Sequence, residues 1–289
     1  MISLHSSTHW SQMKTPGPAI SLRTWSCFLP QKEQRKSTRL PDMRSVCSVV
    51  MREHWERQAT DWAEWATRPD FDSYWGYSPT FFALVPPPGK RTLEVACGEG
   101  RVSRDLKARG HRVVAVDASP TLIGMARQAD PTIAYVRCDA AALPFEDGSF
   151  DRVVFYNSLM DFDDMEASVR EGARVLSPNG ALCASVTHPM QDAGKFTEPA
   201  ADAPFVIEGT YLGDRRPFEA SAERDGLRMR FKGWAYPLET YSRALEREGL
   251  KIEAIREPPA PEATVVNDPP GARWQRIPLF LMWRAVKSA

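Results

Sequence analysis

The sequence carries no excess of either charge: 37 lysines and arginines stand against 37 aspartates and glutamates in 289 residues. A chain that grips a long nucleic-acid backbone normally has surplus positive charge, so long DNA or RNA is not the expected partner. Long apolar runs are missing too. No stretch reaches the roughly 20 residues a membrane-spanning helix needs, and no membrane partner is expected. Cysteine is sparse, five in all at 27, 47, 97, 138 and 183, with no C-x-x-C pair. That argues against a disulfide framework and suits small buried thiols in a reducing, cytoplasmic setting. The histidines, at 5, 9, 54, 111 and 188, show no metal-ligand spacing, so no metal is expected. Nothing in the composition speaks to oligomeric state.

Residues 1–45 stand apart, rich in Ser, Thr and Pro and basic throughout, with only Glu33 and Asp42 acidic. Transit peptides share this composition, but no amphipathic Arg-rich helix is evident. The expectation is a disordered extension or residues upstream of the true start, Met43 and Met51 being alternative starts. Order is expected from Met51, because Trp55, Ala59, Trp62 and Ala66 fall on one face of a helix. A domain spanning 51–289 is expected, with a helical lid over 51–85 and an irregular, aromatic-rich insertion over 188–235.

Between Arg91 and Thr187 short apolar strands alternate with helices. The strands read Thr92–Ala96, Arg112–Val116, Ile133–Cys138, Asp151–Tyr156 and Ala181–Thr187. Two more follow, Lys251–Arg256 and Leu279–Ala285, joined by a Pro-rich loop that lets them pair antiparallel. The pattern predicts an α/β fold, a doubly wound seven-stranded, mostly parallel sheet with an antiparallel last strand.

The first strand runs into Ala96-Cys97-Gly98-Glu99-Gly100. Glycines there let a ligand approach the backbone, and the next helix offers unpaired N–H groups. Asp117 ends the second strand, where a carboxylate can accept both hydroxyls of a ribose. It is not needed as a helix cap, since Ser119-Pro120 supplies one. The combination points to an adenosine-type ligand. A dinucleotide site prefers G-x-G-x-x-G, and neither window here places all three glycines. Glu94 and Glu99 make an acidic rim, which suits a cationic amino-acid moiety better than a diphosphate.

The run Leu93–Leu106, then Val113–Asp117, Cys138-Asp139-Ala140-x-x-Leu143-Pro144-Phe145 and Gly148-Ser149-Phe150-Asp151, resembles the class I S-adenosylmethionine-dependent methyltransferases. Within that class the pattern is similar to the small-molecule enzymes of ubiquinone and menaquinone biosynthesis, over about residues 91–187. The resemblance implies S-adenosylmethionine as cofactor. It implies that Glu94 and the backbone at Ala96, Gly98 and Gly100 hold the methionine part, and that Asp117 binds the ribose with Ala118 beside the adenine. Asp139 and the Ala140 N–H would meet the adenine edge, and Asn157 would lie by the methyl. Ala96 stands where the family often has glycine, which implies a negative φ.

A sulfonium methyl is already electrophilic, so such an enzyme mainly aligns the acceptor and excludes water. Candidate bases are His188, at the carboxyl edge after the fifth strand, and Asp161, in Asp161-Phe162-Asp163-Asp164, where one carboxylate is expected to cap the next helix. Tyr74 is the expected lid contact. A base-amino methylase would need Asn/Asp-Pro-Pro-aromatic where Tyr156-Asn157-Ser158-Leu159 stands, and a cytosine-ring methylase a Pro-Cys that is absent. A small-molecule acceptor is therefore expected. An NAD(P)-dependent oxidoreductase and a non-catalytic S-adenosylmethionine-binding module remain the alternatives.

Overall fold

Strand β1 (Thr92–Val95) is buried along its whole length, as a strand covered on both faces must be. In the computed structural model, which describes residues 43–69, 71–267 and 269–288, it lies in the middle of the sheet. The expectation for residues 1–45 falls almost wholly outside the described residues.

Along the chain, helices α1 (Met43–Thr67) and α2 (Tyr74–Leu84) precede β1. Then come α3 (Arg101–Ala108), β2 (Val113–Asp117), α4 (Pro120–Ala129), β3 (Ala134–Arg137) and β4 (Phe150–Tyr156). Helix α5 (Met165–Val175) leads directly into β5 (Leu176–Thr187). The insertion holds β6 (Gly194–Phe196), β7 (Phe205–Ile207), β8 (Arg216–Arg224) and β9 (Leu227–Ala235). After it follow α6 (Leu238–Arg247), β10 (Leu250–Arg256), α7 (Glu262–Asn267) and β11 (Phe280–Lys287).

The seven-stranded sheet has the order β10-β11-β5-β4-β1-β2-β3, and β11 runs antiparallel to both its neighbours. The predicted fold class is the one observed. Strands β1, β2 and β3 build outward in one direction and β4 starts on the other side of β1. Ligands of open α/β sheets bind in the crevice at such a reversal, outside the carboxyl ends of the strands. Alternate residues of the central strands feed the two layers. Leu93, Val95, Val153 and Phe155 pack with α5 and α6, while Val154 and Tyr156 pack with α2 and α3.

Both central strands end in a left-handed residue, Ala96 at φ +58° and Asn157 at φ +49°. Ala96 thus departs from the negative φ expected of an alanine. The turn has to bring the Gly98 N–H onto Asp117, and that demand outweighs the roughly 1–2 kcal/mol an L-residue loses in this region.

The insertion departs from the irregular segment expected. Strands β6 and β7 pair antiparallel, and β8 and β9 form a long hairpin closed by Asp225-Gly226 at φ +48° and +80°. Two positive φ values in a two-residue loop match the twist of the flanking strands. The Asp225-Gly226 pair and the alternation around it are the local sequence signals of this hairpin.

Gly100, at φ +85°, serves packing: a Cβ there would stand 2.7 Å from the Tyr135 hydroxyl and 3.1 Å from Ala126 Cβ. Gly100→Ala should therefore destabilise the protein by about 1–3 kcal/mol in urea unfolding, and Tyr135→Phe in the same chain should recover part of that loss. Equal stability of Gly100→Ala and the parent would refute this account.

Candidate active site

The corner after β1 is pinned to the end of β2. The Gly98 N–H donates to Asp117 Oδ2 at 2.9 Å and the Ser119 N–H donates to Oδ1 at 2.8 Å. Ser119 caps α4, its hydroxyl accepting from the Leu122 N–H at 3.0 Å, so Asp117 faces the crevice, not the helix. One strand further out, Asp139 accepts from the Ala141 N–H at 2.9 Å and pairs with Arg52 of α1. Beside β1, Asn157 accepts from the Ser185 hydroxyl at 2.5 Å. These residues border one cavity of about 1490 Å³.

Glu94, Ala96, Gly98, Asp117, Ala118, Asp139, Ala140, Asn157 and Asp161 all line this cavity. Three of the expected site residues do not. Gly100 is turned toward Tyr135, as described above. Tyr74 is buried in the core, its hydroxyl on Asp105 and its ring against Tyr156. His188 is also buried, with Nε2 2.8 Å from Glu257 and Nδ1 accepting from the Met190 N–H at 3.0 Å. Both its ring nitrogens are engaged in holding the chain, which removes it as a candidate base. Of the neighbouring carboxylates, Asp164 caps α5, accepting from the Ala167 N–H at 2.9 Å, and leaves Asp161 in the wall.

Other wall residues carried no individual role in the sequence. Arg101, at the start of α3, donates to the Ala66 carbonyl at 3.0 Å and to Asp72 at 3.2 Å, and lies over the rings of Trp62 and Tyr74. It ties α1 and the segment before α2 to the corner. The Trp62 indole would be 3.3 Å from a Cβ at Gly98, so α1 reaches over the corner itself. Trp55, Trp62 and Trp65 of α1 line one side of the cavity, and Phe218, Phe231 and Trp234 of the hairpin line another. Phe196 and Phe205 instead pack with each other and, through Phe196, with Trp274. The only sign of Arg101 was its position directly after the glycines; its partners are distant in sequence and came from the fold.

Carboxylates crowd this wall. Burial raises Glu94 to about 8, with Glu99 and Asp117 adding to the rise and the Ser103 hydroxyl opposing it. Burial also pushes Asp117 up, against the pull of its amide donors. Asp161 rises well above the ordinary range through burial and nearby Asp192, which burial itself raises to about 7. Removing such a group from water favours its neutral form, or a cation beside it. The free thiols Cys97, Cys138 and Cys183 are all pushed up by burial, the last two to about 12, and are inert where they lie.

Residues 93–184 match the family profile described as a methyltransferase domain. A demethylmenaquinone methyltransferase of Beutenbergia cavernae is 39% identical over 103 residues, which is 36% of this chain and 43% of the relative. One from Thermus thermophilus is 37% identical over 99 residues, covering 32% and 45%. The chain thus spans less than half the length of these curated relatives. Among solved structures, an S-adenosylmethionine-dependent methyltransferase from Mesorhizobium loti superposes with a TM-score of 0.61 at 25% identity, over 76% of this chain and 100% of that one. The fold is that of the class I S-adenosylmethionine-dependent methyltransferases, and residues 93–184 match the methyltransferase-domain profile.

The raised Glu94 sets a pH dependence. A carboxyl held protonated by the fold contributes stability that is full at low pH and is lost as pH rises through about 8. Unfolding midpoints of the ligand-free protein should fall over that window, and Glu94→Gln should flatten the profile. Parallel profiles for the two proteins would remove Glu94 as the cause.

Proposed function

We propose that the protein transfers a methyl group from S-adenosylmethionine to a small-molecule acceptor. One observation carries this reading: a glycine corner, Asp117 and Asp139 converge on a single cavity of about 1490 Å³. Pockets for one small ligand run to roughly 1,000 Å³, so this one has space for a cofactor and an acceptor together.

The donor set fits the cofactor. The corner amides are already committed within the protein: the Cys97 N–H to Val116, the Gly98 N–H to Asp117 and the Gly100 N–H to Cys97. A pyrophosphate would need such donors and would meet Glu94 and Glu99 instead. Glu99 is paired with Arg104, and a ligand with a sulfonium and an ammonium relieves the buried Glu94 and Asp117. This supports S-adenosylmethionine over NAD(P). An open cavity bounded by a carboxylate that has no hydrogen-bond partner among the described residues, Asp161, favours an enzyme over a non-catalytic binding module.

When bound, S-adenosylmethionine supplies an electrophilic methyl on sulfur. Glu94 and the Ala96–Gly98 backbone would hold its amino-acid end, Asp117 its ribose hydroxyls, and Asp139 with Ala118 and Ala140 its adenine. Asn157, fixed by Ser185, would stand beside the reacting carbon. The tryptophans of α1 and the aromatics of the β8–β9 hairpin exclude water from the path of attack. Asp161 is the group placed to take a proton from an acceptor that carries one. No described helix is long and apolar enough to cross a membrane. Inert thiols fit the cytoplasm, and the wall's acidic character disfavours long nucleic acid.

Calorimetric titration of the full chain should show S-adenosylmethionine and S-adenosylhomocysteine binding and no NADH binding. Asp117→Ala should weaken both by about 1–3 kcal/mol, the range for lost charge-assisted hydrogen bonds. NADH binding alone, or unchanged affinity in Asp117→Ala, would overturn the assignment.

A further inference from the structure

The wall of the cavity is strongly acidic. Among the described residues it carries eight acidic side chains against four basic ones. Three of the basic groups already have acidic partners: Arg52 with Asp139, Arg101 with Asp72, and Lys232 with Glu219. Most of the acids are satisfied as well. Asp117 holds two amides, Glu94 accepts from Ser103, Asp163 accepts from the Met51 N–H and Asp164 caps α5. Asp161 alone among the wall's described carboxylates accepts no hydrogen bond, and it lies apart from the corner, between β4 and α5.

Its surroundings are built for one kind of guest. Asp161 ends a 3₁₀ turn, Leu159–Asp161, and its N–H donates to the Ser158 carbonyl at 2.9 Å. Residues three apart in such a turn lie on one side, which sets Ser158 beside Asp161. Ser158 is on the cavity wall, 4% exposed, and its hydroxyl has no partner among the described residues. Across from them runs β9, where a Cβ at Gly233 would stand 3.1 Å from Asp161 Oδ1 and 2.8 Å from the Met160 carbonyl oxygen. The strand backbone is thus pressed onto the carboxylate. Two residues along the same face of β9 is Phe231, which meets Trp62 and Trp65 edge to face at centroid distances of 6.5 and 6.1 Å. Opposite Gly233 in the hairpin is Phe218. An unpaired carboxylate, an unpaired hydroxyl and a cluster of aromatic rings together select a cation that also donates hydrogen bonds.

We propose that the acceptor is an amine, seated as its ammonium against Asp161 and Ser158 under the aromatic face of the β8–β9 hairpin, and methylated on nitrogen. This rests on the methyltransferase reading of the cavity. A neutral phenol or alcohol leaves Asp161 without a counter-charge, and a carboxylate acceptor is repelled by it. In the reaction the ammonium gives one proton to the Asp161 carboxylate. The freed nitrogen lone pair forms the N–CH₃ bond as the S–CH₃ bond breaks, and the electron pair of the broken bond stays on sulfur. The product is the N-methylated ammonium, and the proton on Asp161 returns to solvent when the product leaves. The titratable groups facing Asp161 from behind are Asp192, beside the Gln191–Ala193 turn, and Tyr241 of α6. Neither supplies a positive charge that could replace the amine.

The test uses the full chain saturated with S-adenosylhomocysteine and titrated with phenethylamine, 2-phenylethanol and 3-phenylpropanoate, which share a ring and differ in head group. The amine should bind at least about tenfold more tightly than the alcohol, and the carboxylate least. Asp161→Asn should abolish the preference while S-adenosylhomocysteine still binds. Gly233→Ala, which forces a methyl group toward Asp161 Oδ1, should reduce the preference without removing the carboxylate. With S-adenosylmethionine in place, the methyl should appear on the amine nitrogen. Equal or tighter binding of the alcohol or carboxylate, or no amine binding, would overturn the proposal if S-adenosylhomocysteine still binds. Failure of S-adenosylhomocysteine to bind would instead overturn the methyltransferase reading beneath it.

Discussion

The hydrogen bond from the Gly98 N–H to Asp117, 2.9 Å long, joins the carboxyl ends of β1 and β2. It requires the chain to leave β1 through a left-handed Ala96 and a left-handed Gly98. It also orients Asp117, whose other oxygen is held by the Ser119 N–H. One short loop therefore sets both the shape of the corner and the direction of the carboxylate above it. The same geometry brings Glu94, Glu99 and Asp117 into one neighbourhood, and burial, then Glu99 and Asp117, raise the cost of ionising Glu94. Glu99 is paired with Arg104, which leaves Glu94 and Asp117 as the buried acids of the loop with no ion-pair partner among the described residues, and burial of such groups favours a cation beside them.

What was legible in the sequence was local chemistry. Ser119-Pro120 announced a helix start, and with that role filled, Asp117 was left for the crevice, where the structure places it. The seven-stranded sheet was legible because buried parallel strands and amphipathic helices have different periods. Ala96 misled because residue preference favours a negative φ for alanine, whereas the turn's hydrogen bond decides the conformation. Tyr74 and His188 misled for a different reason. Each lies near the right edge of the fold, but side-chain direction depends on partners far away in sequence, Asp105 for one and Glu257 for the other. The β8–β9 hairpin was legible through Asp225-Gly226. It was overlooked because its strands are half exposed and carry many charged residues, which blurs the contrast between faces.

Helix α1 touches both ends of the cavity, and its holds differ in strength. At the β3 end Arg52 pairs with Asp139, but the two side chains are 45% and 40% exposed, and such pairs contribute at most about 1 kcal/mol. One turn along, Glu56 accepts from the hydroxyls of Ser119 and Thr121 and from the Thr121 N–H, at the positive end of α4. That arrangement is the stronger anchor, because a carboxylate at a helix N-terminus meets several donors together with the dipole. Further along again, Trp62 and Trp65 rest on Phe231 of the hairpin.

The helix is thus fastened to the start of α4 by Glu56 and to the β8–β9 hairpin by aromatic contacts. Trp62 makes the link most direct, since it reaches both the Gly98 corner and Phe231. Contacts run from the Gly98 corner through Trp62 to Phe231, two residues from Gly233 on β9, so the insertion is built into the same wall as the glycine corner.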